Sequence, residues 1–414
     1  MTDFAARTDA FLDEYFALDP IAATAIGYHE HDGRWPDLSA AARPARLAFT
    51  DRWITELSAF ADDDLTLDER VDRDLLIEEL ASIRFGDTEL REDAWSPMAW
   101  LYLIGDGLFR LISREFAPLA TRLTSMASRA EGLPQVLAAG REMLVGVDGR
   151  PVDRLHTETA IEQWSGLAEI LDEAVSLGAA AAESDAAVSA VLPRLRAVAD
   201  EGRTALAAFE VHLRDVVLPA TSGEGRLGAD LFNAKLRHTM QDEAITTARI
   251  RERAEREFHA VREEMIRIAR DIAPQWLRGG PAPDGDADLV SAVLDAIAVE
   301  HHRGDELLDF CRAELDRIES FCRERHLIGL SDEPLEIHWT PVFLRAFGGA
   351  MLDWPGPLDR GQRANFLITP IAADASPEEA ESQLREDNDR MLGLLTIHEA
   401  VPGHYLQGVY ANRC

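Results

Sequence analysis

Lysine is almost absent from this 414-residue chain. Lys235 is the single one, and all other basic charge is arginine. We read that bias as base composition of the gene rather than function. Cysteine is scarce as well, with only Cys311, Cys322 and Cys414. The first two fall on one expected helix, ~16 Å apart along its axis, too far to bridge. A disulfide scaffold is excluded, and a reducing compartment, the cytoplasm, is expected. No run of ~18 apolar residues occurs, so no spanning helix is expected. The opening M-T-D-F-A-A-R-T-D-A lacks the basic head and apolar stretch of a secretory signal. Positive charge is in deficit too: the formal net charge is −33. Such a surface repels phosphate backbones and anionic membrane, so neither nucleic acid nor membrane is an expected partner. No serine or cysteine is placed as a nucleophile. The glycines form no phosphate loop, since no Gly-Lys-Ser/Thr follows them.

What is present is 46% hydrophobic and 28% charged, enough for a large core. Most of it reads as helix. Asp19-Pro20 is a start signal, cap then first-turn proline. Ser96-Pro97 opens a stretch apolar almost all round, with Trp100, Leu101, Ile104 and Leu108, as a buried helix is. Further helices are expected over 117–131, 134–146, 153–176, 184–215, 246–273 and 289–326. The pattern changes near residue 330. Residues 335–339 alternate like a strand, 365–369 are a second candidate, and glycines and prolines lie between. A small antiparallel sheet over about 335–370 follows from this. Ser376-Pro377-Glu378-Glu379 starts a helix expected to run from about 377 to 412. The fold class expected is mainly α, with an N-terminal helical part over 1–240 and a second part over 241–414.

That last helix carries M-L-G-L-L-T-I-H-E-A-V-P-G-H-Y-L-Q, residues 391–407. Two histidines and a glutamate this close are what a zinc hydrolase needs: imidazoles to hold the metal, a carboxylate to take a proton from water. The usual spacing is four residues, which puts both rings ~40° apart on one helix face. His398 and His404 are six apart, about 120° on a regular helix, and could not share a metal there. Pro402 cannot donate to the His398 carbonyl and clashes with it, and Gly403 can take conformations closed to other residues. Together they break or widen the helix where the spacing requires it. Leu394, Leu395 and Ile397 are expected in the core, holding the first ligand rigid. The bland alternative is a helix that ends at Pro-Gly, with both histidines satisfied by local carbonyls.

H-E-A-V-P-G-H-Y-L-Q resembles the signature of the bacterial family called domain of unknown function 885: His398, Glu399, Pro402, Gly403, His404 and Gln407. Asp19–His29, Gly228–Leu236 and Pro355–Pro370 also resemble recurring stretches of that family. The family is similar to helical zinc peptidases of zincin, gluzincin type. The resemblance therefore implies a zincin-like multi-helix fold with the sheet beside the active-site helix. It implies zinc on His398 and His404, Glu399 as general base, and a peptide or small-molecule substrate. The third ligand it implies is a glutamate in a Glu-Gly-Trp-Ala-like segment. No match to that segment lies within 1–414, so the ligand is expected beyond Cys414 and the chain is expected to be incomplete there. The expected function is a zinc-dependent peptidase acting on short peptides. The alternative, from another class, is a non-catalytic helical scaffold or binding protein with a degenerate metal motif.

Other candidates are weaker. His338, on the first strand, is a candidate cleft residue; the bland reading is a satisfied edge histidine. Arg345, Arg360 and Arg363 surround the glycine-rich segment, and Arg345 and Arg363 are candidates for a substrate carboxylate. Pairing with this chain's many acids is their bland reading. His29, His31 and Asp32 match a metal cluster by type, against a solvated loop turning at Asp32-Gly33. His301 and His302 are expected exposed on an acidic helix.

Overall fold

The computed structural model describes residues 3–147, 149–242, 244–278 and 283–413, leaving aside the Phe347 side chain. Cys414 falls outside the described residues. The chain is mainly helical and divides into two compact units. No described helix is long and apolar enough to cross a membrane.

The first unit comprises residues 1–244, 342–346 and 355–362. It contains the buried helix Pro97–Phe109, with Trp100, Leu101, Ile104 and Leu108 in the core. Two helices expected over 117–146 are one, Leu119–Met143, with Pro134 inside it. A proline in a helix interior costs about 3 kcal/mol. Leu133, Val136 and Leu137 beside it are buried, each contributing roughly 1.5–3 kcal/mol, so packing wins. The helix expected over 153–176 is two, Arg154–Gln163 and Ser165–Ala181, divided at Trp164. The Trp164 indole is buried, stacks on Phe209 and donates to the Leu206 carbonyl at 3.0 Å. The 342–346 segment is anchored by Phe343. Its ring would lie 2.2 Å from a Cβ on Gly105, so only glycine fits there.

The second unit comprises residues 245–341, 347–354 and 363–414. Its sheet has three strands, β1 (Leu335–Trp339), β2 (Ala350–Asp353) and β3 (Ala364–Ile368), in the order β1-β3-β2. The expectation of an antiparallel sheet is corrected: β1 pairs with β3 in parallel and only β2 is antiparallel to it. β3 is central and every residue in it is buried, including Asn365, whose amide donates to Asp353 at 3.1 Å. Helices Leu307–Arg325 and Asp389–Glu399 pack with the sheet around Leu307, Cys311, Ile337, Phe366, Ile368 and Leu392. Cys311 and Cys322 are both free and buried, and burial pushes the Cys311 thiol up to about 12.

Two expected long helices are broken. The 289–326 stretch is Asp286–Ala298 and Leu307–Arg325, and His301 and His302 lie in the connection between them. The 377–412 stretch is three helices: Pro377–Glu386, Asp389–Glu399 and His404–Ala411. Asn388 makes the first break. Its side chain accepts from the N–H groups of Arg390 and Met391, the capping bond that starts a new helix.

Candidate functional site

The second break separates the two histidines of the motif. Helical bonding ends with Ala400 N–H to the Thr396 carbonyl at 3.0 Å. Ala400 leaves helical geometry at φ −101°, ψ −97°, the Val401–Pro402 peptide is cis, and a new helix starts at His404. Gly403 lies directly on the end of the first helix. A Cβ there would come within 1.8 Å of the His398 carbonyl oxygen and 2.4 Å of that of Ile397. No other residue fits. The turn is held from below: Ala400 is wholly buried with Ile337, Phe366 and Leu392, and Val401 is buried with Tyr405, Leu406 and Val409. Thr396 is also wholly buried and donates to the Leu392 carbonyl at 2.7 Å.

This path brings the imidazoles of His398 and His404 together. Their ring centroids are 4.6 Å apart with the planes at 81°. That separation lets one nitrogen of each ring come within the ~3.4 Å that two ligands of one tetrahedral ion require. Glu399 is buried, with 8% of its surface exposed. His404 Nδ1 lies 3.4 Å from the Gln407 Oε1 one turn on. Two imidazoles are donors that zinc accepts, but among the described residues no group of three His, Cys, Asp or Glu converges to hold a metal.

Trp354, at the end of β2, is the residue that sequence reading missed. Its indole is 45% exposed, 6.3 Å from the His404 ring, and rests against Gly408, where a Cβ would touch it at 3.4 Å. The available signal was an aromatic between a strand and Pro355-Gly356, ten residues before a second strand.

The apolar lead-in meets the expectation only at Leu395, which packs against the core. Leu392 and Thr396 face the core, whereas Leu394 is 61% and Ile397 40% exposed. Helical spacing decides this: Leu392, Thr396 and Glu399 form the buried stripe, so 394 and 397 must fall outside it. His338 and Arg363 are gathered on Glu336, at 2.8 and 3.4 Å. Arg345 belongs to the first unit, as does Arg360. β3 is central, so the 365–369 stretch offers no free edge; β1 and β2 are the edge strands.

Three further histidines are held by carboxylates. His302 Nδ1 meets Asp389 at 2.7 Å, the first residue of the motif helix, and His301 meets Glu381 at 3.4 Å. His29 bridges Asp32 at 2.9 Å and Asp359 at 2.8 Å within the first unit. Burial opposes charge on this imidazole, but the hydrogen bonds and charges of both carboxylates outweigh it and raise its pKa to about 9. Asp32 is buried rather than solvated, and it accepts from Thr24 at 2.7 Å. Thr24 in turn accepts from the fully buried Arg129 at 2.7 Å.

The comparisons agree with the fold. A model of the family described as "Bacterial protein of unknown function (DUF885)" matches residues 20–414. A candidate lipoprotein of unknown function from Shewanella oneidensis has a similar structure. It is 28% identical, with TM-score 0.73, covering 100% of this chain and 73% of that one. A candidate lipoprotein from Colwellia psychrerythraea shares the fold at 13% identity and TM-score 0.67, covering 98% and 71%. No curated protein matches the chain.

Proposed function

The chain belongs to the bacterial DUF885 family, over nearly its whole length. We propose that it is a zinc-dependent hydrolase of zincin-like architecture, most simply a peptidase acting on short peptides. One observation carries this reading: the chain breaks its helix between His398 and His404, and the break leaves their rings 4.6 Å apart. A helix that merely ended at Pro-Gly would not need a glycine pressed onto the His398 carbonyl.

In this reading His398 and His404 hold the zinc. Zinc held there would supply Lewis acidity toward a carbonyl and toward water. Glu399 would take a proton from the attacking water at its carboxylate. Trp354 gives the substrate an apolar wall beside His404. β2, an edge strand that leads into Trp354, suits main-chain pairing with an extended peptide. A third protein ligand would complete such a site.

A second reading, a non-catalytic helical scaffold that keeps two histidines, rests on the pair having no third converging ligand among the described residues. The two separate by metal analysis and turnover of a peptide library, on this chain and on any longer product of its gene. Stoichiometric zinc, with hydrolysis lost in Glu399→Gln and zinc retained, supports the enzyme. Metal-free protein after purification without chelators supports the scaffold. Buried free thiols favour the cytoplasm, whereas likeness to two candidate lipoproteins favours a membrane-anchored setting. Cell fractionation distinguishes them.

A further inference from the structure

The first unit contains a cavity that the histidine motif does not use. Its volume is about 440 Å³, in the range of small-molecule sites. Leu18, Ile21, Phe49, Ile83, Trp100 and Leu103 give it apolar walls. Its charged lining is five carboxylates against one guanidinium.

Most of these charges are paired. Arg46 grips Asp87 with two bonds, 2.7 and 3.2 Å long. Asp93 takes Arg43 at 2.6 Å and Arg91 at 3.2 Å, and Glu92 takes Lys235 at 3.0 Å. Asp19 and Asp37 have guanidiniums nearby as well, Arg129 and Arg46 acting on them through charge, but their hydrogen bonds differ. Asp19 accepts the backbone N–H groups of Ile21 and Ala22 at 3.1 and 3.0 Å, and Asp37 that of Ser39 at 3.0 Å. Backbone donors stabilise a carboxylate without cancelling its charge. The cavity therefore combines an apolar interior with two carboxylates bonded to main chain.

We propose that this cavity binds an amphiphilic organic cation, with its apolar body against the leucine, isoleucine and aromatic walls and its ammonium group against Asp19 and Asp37. Neither carboxylate belongs to the histidine motif, so the proposal stands whether or not the chain is a hydrolase.

Two lining positions allow the cavity to be filled. Gly86 has helical geometry, φ −55° and ψ −48°, and a Cβ there meets no atom within 4 Å. Ala99 also lines the space. The test is titration calorimetry of the intact chain with n-octylammonium, n-octanol and n-octanoate. The expected result is saturable binding of one octylammonium per chain, at least tenfold tighter than octanoate. Gly86→Phe and Ala99→Phe, each checked for an unchanged helical spectrum, should weaken it at least tenfold. Asp19→Asn keeps the helix cap. It and Asp37→Asn should lower octylammonium affinity severalfold and leave octanol unaffected. Asp63→Asn, an exposed acid remote in sequence from the cavity residues, controls for general attraction to a chain of net charge −33. No saturable binding, octanoate binding as tightly as octylammonium, or unchanged octylammonium binding in both filled variants would overturn the proposal.

Discussion

In the first unit His29 lies between two carboxylates; in the second, His398 faces another imidazole. By residue type the two neighbourhoods looked alike, since Y-H-E-H-D and H-E-A-V-P-G-H both offer two histidines beside an acid. The fold separates them. Asp32 and Asp359 keep His29 protonated near neutral pH, and its ring stacks flat on Phe116 at 3.7 Å. A protonated imidazole has no lone pair for a metal. It ties residues 355–362 to residues 29–32, and Leu358 N–H reinforces this by bonding the Ile26 carbonyl at 2.9 Å. The His398–His404 pair is built from main-chain geometry instead. The two clusters thus differ in that carboxylates take both nitrogens of His29, whereas the backbone turns the rings of His398 and His404 toward each other.

The largest expected effect is on chemistry. Glu399→Gln should lower the rate of peptide hydrolysis by about 10²–10⁴-fold with zinc content unchanged, measured by turnover and metal analysis on the same sample. Equal activity would remove Glu399 as the base. Next comes the geometry of the turn. Gly403→Ala forces a Cβ onto the His398 carbonyl, and we expect a loss of on the order of 3 kcal/mol in urea unfolding, with weaker zinc binding. Unchanged stability would mean that the turn is not as tight as described.

The His29 cluster makes the contrasting prediction. Its folded pKa, about 9, lies above the ~6.5 of an unfolded chain. Its stabilisation is therefore complete below about pH 6.5 and lost as pH rises through about 9. His29→Gln should cost on the order of 2 kcal/mol at low pH and nearly nothing at about pH 10. A pH-independent cost would show that packing on Phe116, not charge, holds the ring. The smallest effect is expected at Trp354. Trp354→Ala should raise KM severalfold with kcat within about twofold, since it removes a wall and no proton carrier. A fall in kcat alone would contradict that role.

Much of this was legible in the residues. The buried helix at Pro97–Phe109 followed from apolarity on all sides. The disruption between His398 and His404 followed from Pro402 and Gly403, because proline lacks the donor that a continuous helix needs there. Strand direction was not legible: the residues of β1 and β3 suit parallel and antiparallel pairs alike, and only the connection through 342–362 decides. The Asn388 break was hidden because Leu384 and Leu392 are apolar on either side, and the cap competes with continuation only by about 1 kcal/mol. Asp359 as partner of His29, 330 residues away, has no local signal at all.

The central claim is that the turn at 400–403 delivers two histidines to one metal. X-ray absorption at the zinc edge, on protein loaded with one equivalent, tests it directly. The account predicts two imidazoles in the zinc shell, falling to one in His398→Ala and in His404→Ala. A shell that either substitution leaves unchanged, or no retained zinc in the unsubstituted protein, would contradict it.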